Sequence, residues 1–230
     1  MGGIGTLINV LGVLLGGGAG IFMRRGISQS LRSQLIRVQG LSVVILGLSG
    51  VLSRLGSSEG DVLMMLITMV LGTLLGAYMG IEEAIEGFGE RLEARYGGGE
   101  EGFVQGFLIA SMTMCIGAMG IIGAFEDALF GNISILLAKT VLDSFTAFIL
   151  ANYYGRGVLF SALPLGLWQG SFTLLAGFLA PFLTDSVLHN TSIVGNVMIF
   201  AIGLNLLLDS KLSVANMLPA LFLAAMAGFL

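Results

Sequence analysis

Lys139 and Asp143 stand four residues apart in a stretch, residues 133–151, whose other side chains carry no charge. On a helix that spacing puts both on one face, where they can pair. An ionisable group in lipid costs about 2.5–3.5 kcal/mol on insertion scales, so such groups are functional candidates by default. Two roles fit. The pair is either a static bridge that fixes helix packing, or it lines an aqueous path and exchanges partners with an ion. A buried lysine can lose its proton near neutrality, so Lys139 is also a candidate proton-coupling group.

Uncharged polar residues surround this idea. Asn9, Gln105, Thr113, Gln169, Thr173, Asn205 and Asn216 all fall within apolar runs. Singly, each reads as an interhelical hydrogen bond. Together with Asp143 they supply oxygen ligands of the kind a small hard cation such as Na⁺ takes. Lys139, Asp143, Asn9, Gln105, Gln169, Thr173 and Asn205 therefore form the candidate transport site, with Na⁺ or H⁺ as the coupling or transported ion and no other cofactor. Glu126 and Asp127 read as a solvated loop face rather than an ion entry site, and Asp185 and His189 read the same way.

The elements that must position these residues follow from composition. Of 230 residues, 56% are hydrophobic and 10% charged, against about 25% charged in a soluble domain. So few charges cannot cover a water-facing surface. A spanning helix needs about 20 apolar residues. Eight stretches qualify or nearly so: 4–23, 40–53, 62–80, 103–124, 133–151, 158–183, 193–208 and 214–230. Seven is the alternative, because the second stretch is short. The expected fold is an all-α polytopic bundle of about eight spans. The first stretch has no basic segment before it and is followed by Arg24-Arg25, so it reads as a retained helix and not a cleaved signal.

Cytoplasmic loops collect Lys and Arg. With eight spans, Arg24, Arg25, Arg32, Arg37, Arg91, Arg95, Arg156 and Lys211 share one side, and Arg54 alone lies on the other. This predicts a cell-membrane protein with both termini outside. In the loop 81–101, Ile81, Ile85, Phe88 and Leu92 recur at helical spacing against an acidic face. A cytoplasmic amphipathic helix is expected there, packed on protein more than on anionic lipid. Gly97-Gly98-Gly99 gives a flexible return. The lone Cys115 and lone His189 argue against a disulfide framework and a metal site, and no basic stripe points to nucleic acid.

Glycine forms two ladders at four-residue spacing: Gly12, Gly16 and Gly20, then Gly72, Gly76 and Gly80. Each permits close helix approach, within the chain or at a homo-oligomer interface. The chain also echoes itself. Leu7-Ile8-Asn9 aligns with Leu167-Trp168-Gln169, Gly17 with Gly177, and Gly47-Leu48 with Gly203-Leu204. Residues 1–80 are thus a candidate first repeat and 157–230 an inverted second copy, with central spans at 102–156. Secondary transporters recurrently combine inverted repeats with broken helices and midplane sites. Pro164, Gly170 and Pro181 mark the expected break in the sixth span. A half-helix starting near Trp168-Gln169-Gly170 would favour an anion or carboxylate at its N-terminus.

Several segments also resemble a known family. They are Ile4-Gly5-Thr6-Leu7-Ile8-Asn9, Cys115-Ile116-Gly117-Ala118-Met119-Gly120 with Gly123 and Asp127, Lys139-Thr140-Val141-Leu142-Asp143, Gln169-Gly170 with Thr173-Leu174-Leu175-Ala176, and Ile202-Gly203-Leu204-Asn205. Together these resemble the YqgA-like family of prokaryotic multi-pass membrane proteins of unknown function, across essentially the whole chain. The Lys–Asp pair and the Gln-Gly step belong to that pattern. Asn132 stands where many relatives carry an acid. The resemblance implies a membrane protein and, in loose descriptions of the family, a Na⁺ channel or pump.

No GxxxxGK[ST] loop, HExxH motif or catalytic carboxylate pair is present, which points away from an ATP motor and from an enzyme. A secondary transporter or cation-translocating protein, with lipid and a small solute or ion as partners, is the leading expectation. The alternative is a membrane interaction or regulatory protein without transport.

Overall fold

The computed structural model describes residues 2–55, 59–97, 102–116 and 118–229, and those residues form helices and no strands. Gly98 and Gly99 of the expected flexible return lie outside them. Among the described residues ten α-helices follow one another: α1 (Ile4–Met23), α2 (Gln29–Arg54), α3 (Glu59–Met79), α4 (Ile81–Leu92), α5 (Phe103–Cys115), α6 (Ala118–Phe130), α7 (Ser134–Tyr154), α8 (Ala162–Leu179), α9 (Asp185–Leu208) and α10 (Leu218–Ala227). Among the described residues, six helices are long and apolar enough to cross a membrane, and α5 with α6 would make a seventh if the bent pair is one span. A shorter apolar helix covers Ala215–Ala227. The surface agrees with lipid as solvent. Leu174 is 87% exposed and Leu15 74%, whereas Asn9 and Gln169 are fully buried, the reverse of a water-soluble protein.

Three elements differ from expectation. The short second stretch is the apolar part of a 26-residue helix, α2, about 39 Å long at 1.5 Å per residue, so its polar first turns extend an otherwise short span. The sixth stretch is not broken at Pro164 or Gly170. Pro164 is the third residue of α8, where a missing N–H leaves no helix bond unmade, and α8 continues through Gly170. Only Pro181 marks a departure, a 3-10 turn over Ala180–Phe182. The sharp break lies instead in the fourth stretch, where the axis turns by 58° between Phe103–Cys115 and Met119–Phe130. Asp185 and His189, expected in a loop, lie in the opening turns of α9.

The chain divides into two compact units, residues 1–39, 86–115 and 119–180, and residues 40–85, 116–118 and 181–230. In the first, α1 lies along α7. A Cβ added to Gly12 would come within 2.5 Å of Thr140 Cγ2, and one on Gly16 or Gly20 would fall on the carbonyl oxygen of Ser144 or Phe148. In the second, Gly72 meets the Ala220 backbone and Gly76 the Asn216 carbonyl, so α3 sits against α10. The first ladder and Gly72 and Gly76 of the second are therefore packed inside the chain, while Gly80, at φ +64°, forms the turn after α3. The expected amphipathic helix is α4. Its Gly89 is buried against Val104 and Phe107 of α5, and the Phe88 ring meets that of Phe107 at a tilt with centroids 5.9 Å apart, so protein covers part of this face while Phe88 stays 46% exposed.

Gly16→Ala must push α1 off the α7 backbone, and overpacking of this kind costs about 1–3 kcal/mol. Gly18, two residues along, has nothing within 4 Å of a Cβ. We expect the purified Gly16→Ala protein to unfold several degrees below wild type and Gly18→Ala to match it. Equal unfolding temperatures for the two variants would contradict this packing.

Candidate functional site

Four of the expected site residues meet in the first unit. Lys139 and Asp143 lie on α7, Asn9 on α1 and Gln169 on α8, all buried. The Lys139 ammonium donates to both Asp143 oxygens, at 3.0 and 2.7 Å, and to the Met114 carbonyl at 2.9 Å. The Asn9 amide donates to Asp143 Oδ2 at 3.0 Å and to Gln169 Oε1 at 3.2 Å. Four helices are thereby tied by one polar chain, from the Met114 carbonyl through Lys139, Asp143 and Asn9 to Gln169.

The helix break explains the Met114 contact. Because α5 stops at Cys115, its last carbonyls have no amide one turn on and carry the negative end of the helix dipole. Lys139 caps that end while neutralising Asp143. The ladder on α1 explains Asn9. With no side chains at Gly12, Gly16 and Gly20, α1 lies close enough to α7 for the short Asn9 amide to reach Asp143.

Two valences in this cluster are left over. Asn9 Oδ1, an acceptor, and Gln169 Nε2, a donor, are buried and make no hydrogen bond. A buried unsatisfied group costs about 1–3 kcal/mol, and most native polar groups avoid that state. Thr173 borders the cluster one turn beyond Gln169, where its hydroxyl donates to the Gln169 carbonyl at 3.0 Å and lies 3.3 Å from that of Thr6.

The remaining expected residues do not join. Gln105 is exposed on α5. Asn205 holds the turn after α9, donating to the Leu212 carbonyl and accepting from Ser210 and Leu212. Thr113 bonds back to Ile109 of its own helix. Asn216 binds Glu82 at the start of α4. Asp127 is a correction. It is 1% exposed, and its Oδ2 accepts from the Gly3 and Gly5 amides at 3.0 and 2.8 Å. It caps the positive end of α1 and is neither a solvated loop residue nor a member of the polar chain.

Sequence reasoning missed the Met114 carbonyl, which no side-chain pattern announces, and the extension of the polar face on α7 to Thr146. Thr146, one turn past Asp143, accepts from Gln39 Nε2 at 3.0 Å, while the buried Asn152, on another face of α7, donates to the Gly20 carbonyl at 3.2 Å. The spacing of Lys139, Asp143 and Thr146, four residues and then three, was the available signal.

Removing one charge strands the other. Lys139→Met should destabilise the purified protein by about 3–5 kcal/mol, and Lys139→Met combined with Asp143→Leu should recover much of that loss. Thermal unfolding of the three proteins checks it; a double variant no more stable than the single one would contradict the pairing.

Comparison with known proteins gives a family and no activity. The chain is 28% identical over 219 residues to the uncharacterized membrane protein YdfK of Bacillus subtilis, covering 95% of this chain and 93% of that protein. It is 31% identical over 230 residues to the uncharacterized protein YqgA of Escherichia coli, covering 96% of this chain and 94% of that one. No solved structure matches it. Residues 4–229 match the profile described as protein of unknown function (DUF554), and the chain belongs to that family.

Proposed function

We propose that this protein is a secondary transporter or cation-translocating membrane protein whose site is the Lys139–Asp143 pair with Asn9 and Gln169. The observation that carries the reading is a charge pair, buried among apolar helices, whose immediate neighbours keep an unused acceptor and an unused donor. A bridge serving packing alone would be expected to satisfy its neighbours. Here Asn9 Oδ1 and Gln169 Nε2 remain available to a ligand. A small cation, Na⁺ or H⁺, would compete with the Lys139 ammonium for the Asp143 carboxylate. Thr146, one turn on from Asp143, continues the polar face along α7 and would extend the site.

The helix pairing supports an inverted repeat. If residues 1–80 and 157–230 are copies, α1, α2 and α3 correspond to α8, α9 and α10. Each meets its counterpart. Asn9 binds its aligned partner Gln169. Gly47 lies on Phe200 and Gly203 on Val44. Gly72 lies on Ala220 and Gly76 on Asn216. In all three pairs numbering rises along one helix as it falls along the other, so the partners run antiparallel, as copies of opposite topology would. On this reading the arginine-bearing loops face the cytoplasm and both termini face outward.

Asp143→Asn keeps the shape and the Asn9 contact but removes the charge. In proteoliposomes we expect it to abolish ion flux driven by a Na⁺ or proton gradient, in protein that is still monodisperse though less stable than wild type because Lys139 lacks its counter-charge. Undiminished flux would refute the role given to Asp143. If the wild-type protein carries no ion at all, the interaction-protein alternative gains.

A further inference from the structure

The break in the fourth stretch creates two helix ends, and Lys139 caps only the negative one. The other end, the first turn of α6, begins at Ala118. Its opening amides have no carbonyl one turn earlier and carry the positive end of the dipole. Gly120 stands in that turn. A Cβ placed on it would lie 3.5 Å from Gln169 Nε2 and 3.4 Å from Lys139 Cε. The unused Gln169 donor, on a side chain with no exposed surface, therefore aims at this helix end, beside a lysine and over a residue with no side chain to fill the place.

We propose that the Met119–Gly120 backbone at the start of α6, Gln169 Nε2 and Lys139 form a subsite for a small anion, inorganic or the carboxylate of an organic solute. The polar atom nearest that place is a donor, Gln169 Nε2, and the Lys139 stem that borders it ends in an ammonium. Lys139 has already spent much of its charge on Asp143, so an anion here competes with that carboxylate for the ammonium. The anion and a cation or proton on Asp143 would then favour one another, because each relieves the charge the other leaves behind. The inference rests on the transport reading and adds the sign of the solute to it.

Ligands that bind only the folded protein raise its unfolding temperature, which gives a readout independent of transport. The purified full chain is unfolded in choline methanesulfonate, with choline chloride or choline formate replacing it at fixed ionic strength. Wild type should gain about 3 °C, saturably, with at least one of the two anions; chloride alone marks an inorganic anion and formate alone a carboxylate. Gly120→Ala makes only ordinary contacts with Lys139 and Gln169. It should fold with unchanged stability in methanesulfonate and lose the gain, an affinity loss of at least tenfold. Asp143→Asn should bind the anion about tenfold more tightly, since nothing then competes for Lys139. The proposal is overturned if neither anion stabilises wild type beyond methanesulfonate, or if Gly120→Ala gains as much as wild type, which is what a general salt effect would do. Cation flux without anion stabilisation would leave the transport reading standing and remove this one. Anion stabilisation without flux would do the opposite.

Discussion

A lysine and an aspartate held away from water constrain everything around them. Their mutual attraction in a low-dielectric interior offsets desolvation only where geometry is close and the remaining lone pairs and protons are occupied. Lys139 meets that demand with both carboxylate oxygens of Asp143 and with the Met114 carbonyl. The last contact falls on the final turn of α5, which ends at Cys115 and leaves its carbonyls without partners of their own helix. Asp143 in turn needs a neutral donor from another helix, and Asn9 supplies it.

The glycine ladders follow from the same demand. An asparagine side chain is short, so α1 must press against α7 over several turns to deliver it. Gly12, Gly16 and Gly20 clear the way, with Ser144 and Phe148 carbonyls where side chains would otherwise stand. Asp127 fixes the same helix from its start by holding the Gly3 and Gly5 amides. Close backbone contact replaces the hydrophobic effect as the packing force among helices in lipid. The same device recurs where Gly72 and Gly76 receive α10.

Much of the site could be read from residue types. Charged and amide side chains stand out in an apolar chain, and Lys139, Asp143, Asn9 and Gln169 do come together, with Thr173 at their border. Gln105 and Asn205 have the same chemistry and do not, because hydropathy shows that a residue lies in an apolar run but not which way it faces, nor whether the run ends there. The helix break was misplaced for a related reason. Proline identifies a missing donor, and Pro164 sits where no donor is required. The true bend falls between Cys115 and Met119, where the sequence holds no proline and the signal is a lysine on another helix seeking an acceptor. Helix limits moved most where polar turns prolong an apolar core, as in α2 and α9.

The nitrogen of Lys139 touches a side chain that senses charge and a backbone that forms a joint. Whatever loosens its hold on Asp143 also disturbs a contact with the last turn of α5. One nitrogen thus answers at once to a side chain of α7 and to the backbone of another helix, with no residue standing between them.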